Sequence, residues 1–108
     1  MSRSAPDAAK AAQTKVLRQE AGRWLKAARE QAGLTQAQLS EQVGLRYYTF
    51  VSQVESGLGR LPIETQGVWA AAVGLEPGEF AKTLLRYYEP ELYRLLFASE
   101  AAQGRATA

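Results

Sequence analysis

The chain contains no cysteine and no histidine. The first absence excludes disulfides, thiolate zinc sites and cysteine nucleophiles. The second excludes Ser-His triads and imidazole acid–base chemistry. Carboxylates, lysines and tyrosines are what remain for catalysis or hard-metal binding, and the carboxylates are scattered. The nearest close pair, Glu89 and Glu91, flanks Pro90 beside an apolar run and reads as a solvated helix end. Gly57-Leu58-Gly59 lacks the preceding strand and following lysine of a phosphate loop. No enzyme, cofactor, metal or small-molecule ligand is therefore expected. Long hydrophobic runs are also missing: none approaches the roughly 18 residues of a membrane span. The opening MSRSAPDAAKAAQ lacks the apolar stretch of a signal peptide. A cytoplasmic protein without a membrane partner is the expectation. Net charge is small as well, a formal +2 from 13 basic and 11 acidic groups. As a total it makes no case for a polyanionic partner.

What is present is enough for one core. The 108 residues are 46% hydrophobic, a globular composition too short for two independent domains. The charge is unevenly distributed. Residues 1–35 carry seven basic groups against three acidic, residues 36–75 two against three, and residues 76–108 four against five. The basic surplus at the N-terminal end suits either a solvated helix face or a surface turned to a polyanion.

Glycines, prolines and cap residues divide the chain into helices. Asp7 to Gln31 is rich in helix formers, and Leu17, Ala21, Trp24, Leu25, Ala28 and Ala32 form one apolar stripe, with Gly22 as a weak point. Gly33 stops this helix. Thr35 and Gln38 make a capping box for a short helix, Gln36–Val43, whose inner side carries Ala37 and Leu39 to Val43. Gly44 ends it, Leu45-Arg46 turns, and Tyr47–Ser56 reads as a helix with Val51 and Val54 inward. Pro62 opens a fourth helix with Ile63, Val68, Trp69, Ala72 and Val73 as its apolar positions. Pro77 opens a fifth, with Phe80, Leu84, Leu85 and Tyr88. Pro90 to about Ser99 is a sixth, bearing Leu92, Tyr93, Leu95, Leu96 and Phe97. No stretch alternates with period two for long enough to be a strand. The fold class is all-α. The expected organisation is a flexible arm over 1–12, a core domain over 13–89, a C-terminal helix over 90–101 and a disordered tail over 102–108.

Two short helices joined by a glycine turn are the pattern of a helix-turn-helix, here spanning residues 36–56. Its second helix would offer an outer face to the major groove of DNA, which is wide enough to admit a helix. At this point the residues resemble a known family. Leu25-Lys26-Ala27-Ala28-Arg29 with Gly33-Leu34-Thr35-Gln36, Leu39-Ser40 with Val43-Gly44, Val51-Ser52-Gln53-Val54-Glu55-Ser56-Gly57, Pro62, and Gly74-Leu75 are similar to the Cro/C1-type (XRE-like) helix-turn-helix regulators of bacteria and phages. The likeness covers about half the chain, and its strength lies in several pieces in order. It implies a five-helix lambda-repressor-like domain, with the sixth helix added for dimerisation. In one respect the chain departs from the pattern: Gly44 to Glu55 is one residue longer, which leaves open which of Tyr47, Tyr48 and Thr49 faces bases.

The resemblance implies roles. Tyr48, Thr49, Ser52 and Gln53 would contact bases, with Gln53 able to pair bidentately with adenine. Gln36, Arg46, Tyr47, Ser56 and Arg60 would contact phosphates. Glu55 resembles the family's structural acid, paired with Arg29, and neither is counted among the contacts. Trp24, Trp69 and Phe50 read as core. Beyond the motif, residues 84–97 are too apolar for one buried face. Self-association is the natural solution, through Leu85, Tyr88, Leu92, Tyr93, Leu96 and Phe97. A homodimer would set two reading helices roughly 34 Å apart on one face of double-stranded DNA. The function implied is a sequence-specific transcriptional regulator, most simply a repressor. The alternative is a protein-interaction module, an antitoxin or adaptor, with the same motif as scaffold.

Overall fold

The computed structural model describes the backbone of residues 4–107 and the side chains of residues 8–98. Met1–Arg3 and Ala108, at the ends of the segments read as arm and tail, lie outside the described residues. Six helices and no strand are found among the described residues: α1 (Ser4–Gln31), α2 (Gln36–Gln42), α3 (Thr49–Ser56), α4 (Ile63–Ala72), α5 (Pro77–Tyr88) and α6 (Pro90–Thr107). The class is all-α. The backbone of α1 begins within the segment read as an arm, and that of α6 continues into the segment read as a tail.

Local chemistry accounts for the boundaries. The Thr35 side chain accepts from the Gln38 N–H at 3.1 Å, and the Gln38 side chain accepts from the Thr35 N–H at 2.9 Å. This reciprocal box starts α2. Gly44 follows α2 with φ of 78°, a left-handed conformation that glycine adopts without a steric penalty. Pro62 sits just before the first turn of α4 rather than within it. Pro77 does lie in the first turn of α5. There the Glu76 carboxylate caps the helix, accepting from the N–H groups of Gly78 and Glu79 at 2.9 Å each. These two bonds favour the ionised form and hold its pKa below the ordinary glutamate range.

The core collects Leu25 of α1, Leu39 of α2, Val51 and Val54 of α3, Leu61, Trp69 of α4, and Phe80 and Leu84 of α5. Trp24 is half-buried with its ring centroid 5.3 Å from that of Phe80, and Phe50 meets Trp69 edge-on at 6.4 Å. Helix α1 lies across α3 and α5, α4 packs on α5 and α2, and α6 packs on α5. The crossing of α1 over α3 is close. A Cβ built on Gly22 would stand 2.2 Å from the Glu55 carbonyl oxygen, so only glycine permits the observed approach. At the far end of α3, a Cβ built on Gly57 (φ 82°) would stand 2.8 Å from the backbone of Gln19.

Several expected inward positions are instead exposed. Ala32 and Ala37 face solvent, and so do Ile63 (79% exposed) and Val68 (47%) of α4. The sequence of α4 is apolar nearly all round, so periodicity selected no face. Packing of Trp69, Ala70 and Val73 selects it, and buried Gln66 joins them by donating to the Leu61 carbonyl at 3.0 Å.

Candidate nucleic-acid interface

Helix α3 has two unlike faces. Val51, Val54 and Glu55 are buried, whereas Thr49, Ser52, Gln53 and Ser56 are exposed. These four recur at i, i+3, i+4 and i+7, which is one continuous stripe on a helix. The inner face is held in place by a buried polar cluster. The Arg29 guanidinium donates to both Glu55 carboxylate oxygens, at 2.7 and 3.1 Å, and to the Leu34 carbonyl at 2.8 Å. Gln36 donates its amide N–H to Glu55 at 3.0 Å. One carboxylate thus ties the end of α1, the start of α2 and the last turn of α3. The Glu55 hydrogen bond raises the Arg29 pKa further above its ordinary value, against the opposing effect of burial. Gln36, read as a phosphate contact, is half-buried and engaged in this cluster.

The connection from α2 to α3 is longer than the sequence reading, running from Val43 to Tyr48. Leu45 remains tied to α2, its N–H donating to the Ser40 carbonyl at 2.8 Å. Arg46, Tyr47 and Tyr48 then cross outside the core, and α3 begins at Thr49, two residues later than the sequence reading. Tyr47 and Tyr48 are 65% and 54% exposed. They are not packed aromatics. The Arg46 guanidinium lies 5.7 Å from the centre of the Tyr47 ring. The exposed surface therefore runs from Arg46 through both tyrosines onto the stripe of α3. The Ser56 hydroxyl is engaged in donating to the Gln53 carbonyl at 3.0 Å.

Arg60 lies elsewhere. It donates to Glu89 at 2.8 Å and stacks over the Tyr88 ring at 4.9 Å, which draws it to the end of α5 rather than beside Arg46. No family model matches the chain, and no curated protein matches it.

The six residues read as a dimer surface divide into three groups. Tyr88 is buried within the protomer, where burial raises its pKa and its hydroxyl oxygen accepts from the Leu61 N–H at 3.1 Å. Leu85, Tyr93 and Phe97 are half-buried. Tyr93 and Phe97 stack at 4.9 Å, and the Lys82 ammonium lies 4.3 Å from the Phe97 ring. Leu92 and Leu96 are exposed, joined by Leu95 at 61%. A cleft of about 520 Å³ opens beside them, with Ile63, Leu85, Leu92 and Phe97 among its walls. Among the described residues, no three carboxylates are grouped to hold a metal ion, and no helix is long and apolar enough to cross a membrane.

Proposed function

We propose that this protein is a sequence-specific double-stranded-DNA-binding regulator of the Cro/C1 type, with a lambda-repressor-like core. It reads the major groove with α3 and acts as a repressor by occupying its operator. The observation that carries the reading is the outward stripe of Thr49, Ser52 and Gln53 on a helix whose opposite face is locked by the Arg29–Glu55–Gln36 cluster. A rigid helix with small polar side chains outward suits base-edge recognition, where an amide pairs with adenine. Tyr47, Tyr48 and Arg46 extend that face with groups that donate to phosphates. Gln36 and Ser56 support it from within α2 and α3. Two copies associate through α6, where exposed Leu92, Leu95 and Leu96 meet the cleft lined by Ile63 and Leu85, and together they read a pseudo-palindromic operator. Such a protein works in the cytoplasm at the nucleoid.

The test is selection of binding sites from a random duplex library, repeated with Gln53→Ala and Arg46→Ala. Gln53→Ala is expected to relax the preference at one base pair per half-site, by about 1–3 kcal/mol. Arg46→Ala is expected to weaken binding to all sequences alike. Enrichment of no sequence by the parent protein would favour the protein-interaction reading, in which the exposed tyrosines meet another protein.

A further inference from the structure

The basic surplus of residues 1–35 is assembled into a surface that the reading helix alone does not explain. Lys10, Thr14 and Arg18 lie at i, i+4 and i+8 on α1, with Lys15 in the adjacent row. These side chains, with Ala11, surround Gly57 at the end of α3 and enclose an open hollow of about 460 Å³. Lys10 and Lys15 are exposed and Arg18 is half-buried. Among the described residues none of the three cations forms an ion pair, and no carboxylate lines the hollow. Glu89 and Glu91 border the neighbouring hollow, but Arg60 and Arg94 hold them. Among the described residues, no hydrogen bond joins the cations to the end of α3. The Val54 carbonyl accepts from the Gly57 N–H, and the Gln53 carbonyl accepts from the Leu58 N–H at 3.0 Å. Lys10 and Arg18 border the neighbouring hollow as well, but in the first one two exposed lysines and a half-buried arginine meet with no described carboxylate on its walls, an arrangement that suits a solvated cluster or an anion.

We infer that this hollow is a second DNA contact, a clamp for the phosphate backbone beyond the bases read by α3. This rests on the DNA reading proposed above. Phosphates flank the groove that a reading helix enters, and the hollow adjoins the last residue of the outward stripe. From Lys10 to Arg18 the helix rises roughly 12 Å, which matches about three to four nucleotides of one strand at about 3.4 Å each. The occupant is duplex backbone, because the hollow meets the motif at Gly57, the residue after Ser56 of the outward stripe. It adds affinity without adding sequence preference.

The experiment measures affinity against salt for the selected duplex and for a scrambled duplex. It compares the parent with Lys10→Gln/Lys15→Gln/Arg18→Gln, and with Lys10→Gln/Lys15→Gln, which spares the half-buried arginine and guards against a folding defect. Each lost phosphate contact lowers the log–log salt slope by about 0.9, so the triple variant loses about 2.7. Raising salt from about 50 to about 200 mM then weakens its binding roughly 40-fold less than the parent's. The ratio of selected to scrambled affinity is expected to stay unchanged, and backbone protection beside each half-site to disappear. An unchanged salt slope with intact sequence preference would overturn the clamp and leave the DNA reading standing. If the parent enriches no duplex, the DNA reading falls and the clamp falls with it.

Discussion

Substituting Gly22 by alanine separates helix propensity from packing. In mid-helix, glycine is about 1 kcal/mol less favourable than alanine, so propensity predicts stabilisation. The crossing with α3 predicts the reverse. The new Cβ would lie 2.2 Å from the Glu55 carbonyl oxygen, 2.6 Å from its carbon and 2.8 Å from the Val54 carbonyl oxygen. Ordinary contact between carbon atoms is about 3.5–4.0 Å, so α1 and α3 must part by about 1 Å. All three obstructing atoms are backbone, and no side chain can rotate away. Overpacking of this kind costs about 1–3 kcal/mol, and more where nothing yields. Taking the upper end and subtracting the propensity gain leaves a net loss of about 2 kcal/mol, or roughly 9 °C in Tm for a domain of this size. Gly67 is the control. It lies within α4, and nothing stands within 4 Å of its Cβ position. Gly67→Ala is expected to raise Tm by about 2–4 °C. Thermal melts followed by far-ultraviolet circular dichroism give both values. A Tm for Gly22→Ala equal to or above the parent's would refute the close crossing.

Other perturbations test the remaining supports. Glu55→Ala leaves the buried Arg29 guanidinium without its carboxylate and is expected to cost about 3–5 kcal/mol; replacing both residues with apolar ones (Arg29→Met, Glu55→Leu) is expected to recover most of that in urea melts. Tyr88→Phe keeps the ring but leaves the buried Leu61 N–H unpaired, for a loss of about 1–3 kcal/mol near neutral pH. Burial raises the Tyr88 pKa, so its contribution is complete below the ordinary tyrosine pKa of about 10 and declines as pH rises past it. The parent's excess stability over Tyr88→Phe is expected to shrink there, and a constant difference would contradict that burial. The Glu76 pKa is lowered, so its cap is fully present above the ordinary glutamate range and is lost as pH falls through the folded value. Glu76→Ala is expected to lower Tm at neutral pH and to match the parent in strong acid.

Much of the fold was legible because it is written in local chemistry. The Thr35–Gln38 box, the glycine after α2, Pro77 in its first turn and the inward Val51 and Val54 all follow from residue type and spacing. The Arg29–Glu55 pair, 26 positions apart, came only from the resemblance, since no periodicity links residues that distant. What escaped the sequence is tertiary. Gly22 reads locally as a weak helix position, and its purpose exists only once α3 lies across it. The inward face of α4 is chosen by Trp69 and Gln66 among neighbours that are nearly all apolar. Arg60 reads as a phosphate contact and Tyr88 as part of an association surface until the end of α5 folds back to the α3–α4 loop, where Glu89 accepts from the arginine and the tyrosine hydroxyl accepts from the Leu61 N–H. The candidate stripe itself was readable at Thr49, Ser52 and Gln53, whereas the start of α3 was not. Arg46, Tyr47 and Tyr48 carry no capping signal, and Tyr48 precedes the helix without a side-chain cap.

If the stripe on α3 reads DNA sequence, affinity must depend on sequence. The most direct measurement is the ratio of affinities for a library-selected duplex and a scrambled duplex of equal length, taken by fluorescence anisotropy at about 0.15 M salt. A sequence reader is expected to hold the selected duplex at least about 10³-fold more tightly. Equal affinity for the two would mean that the stripe reads no sequence.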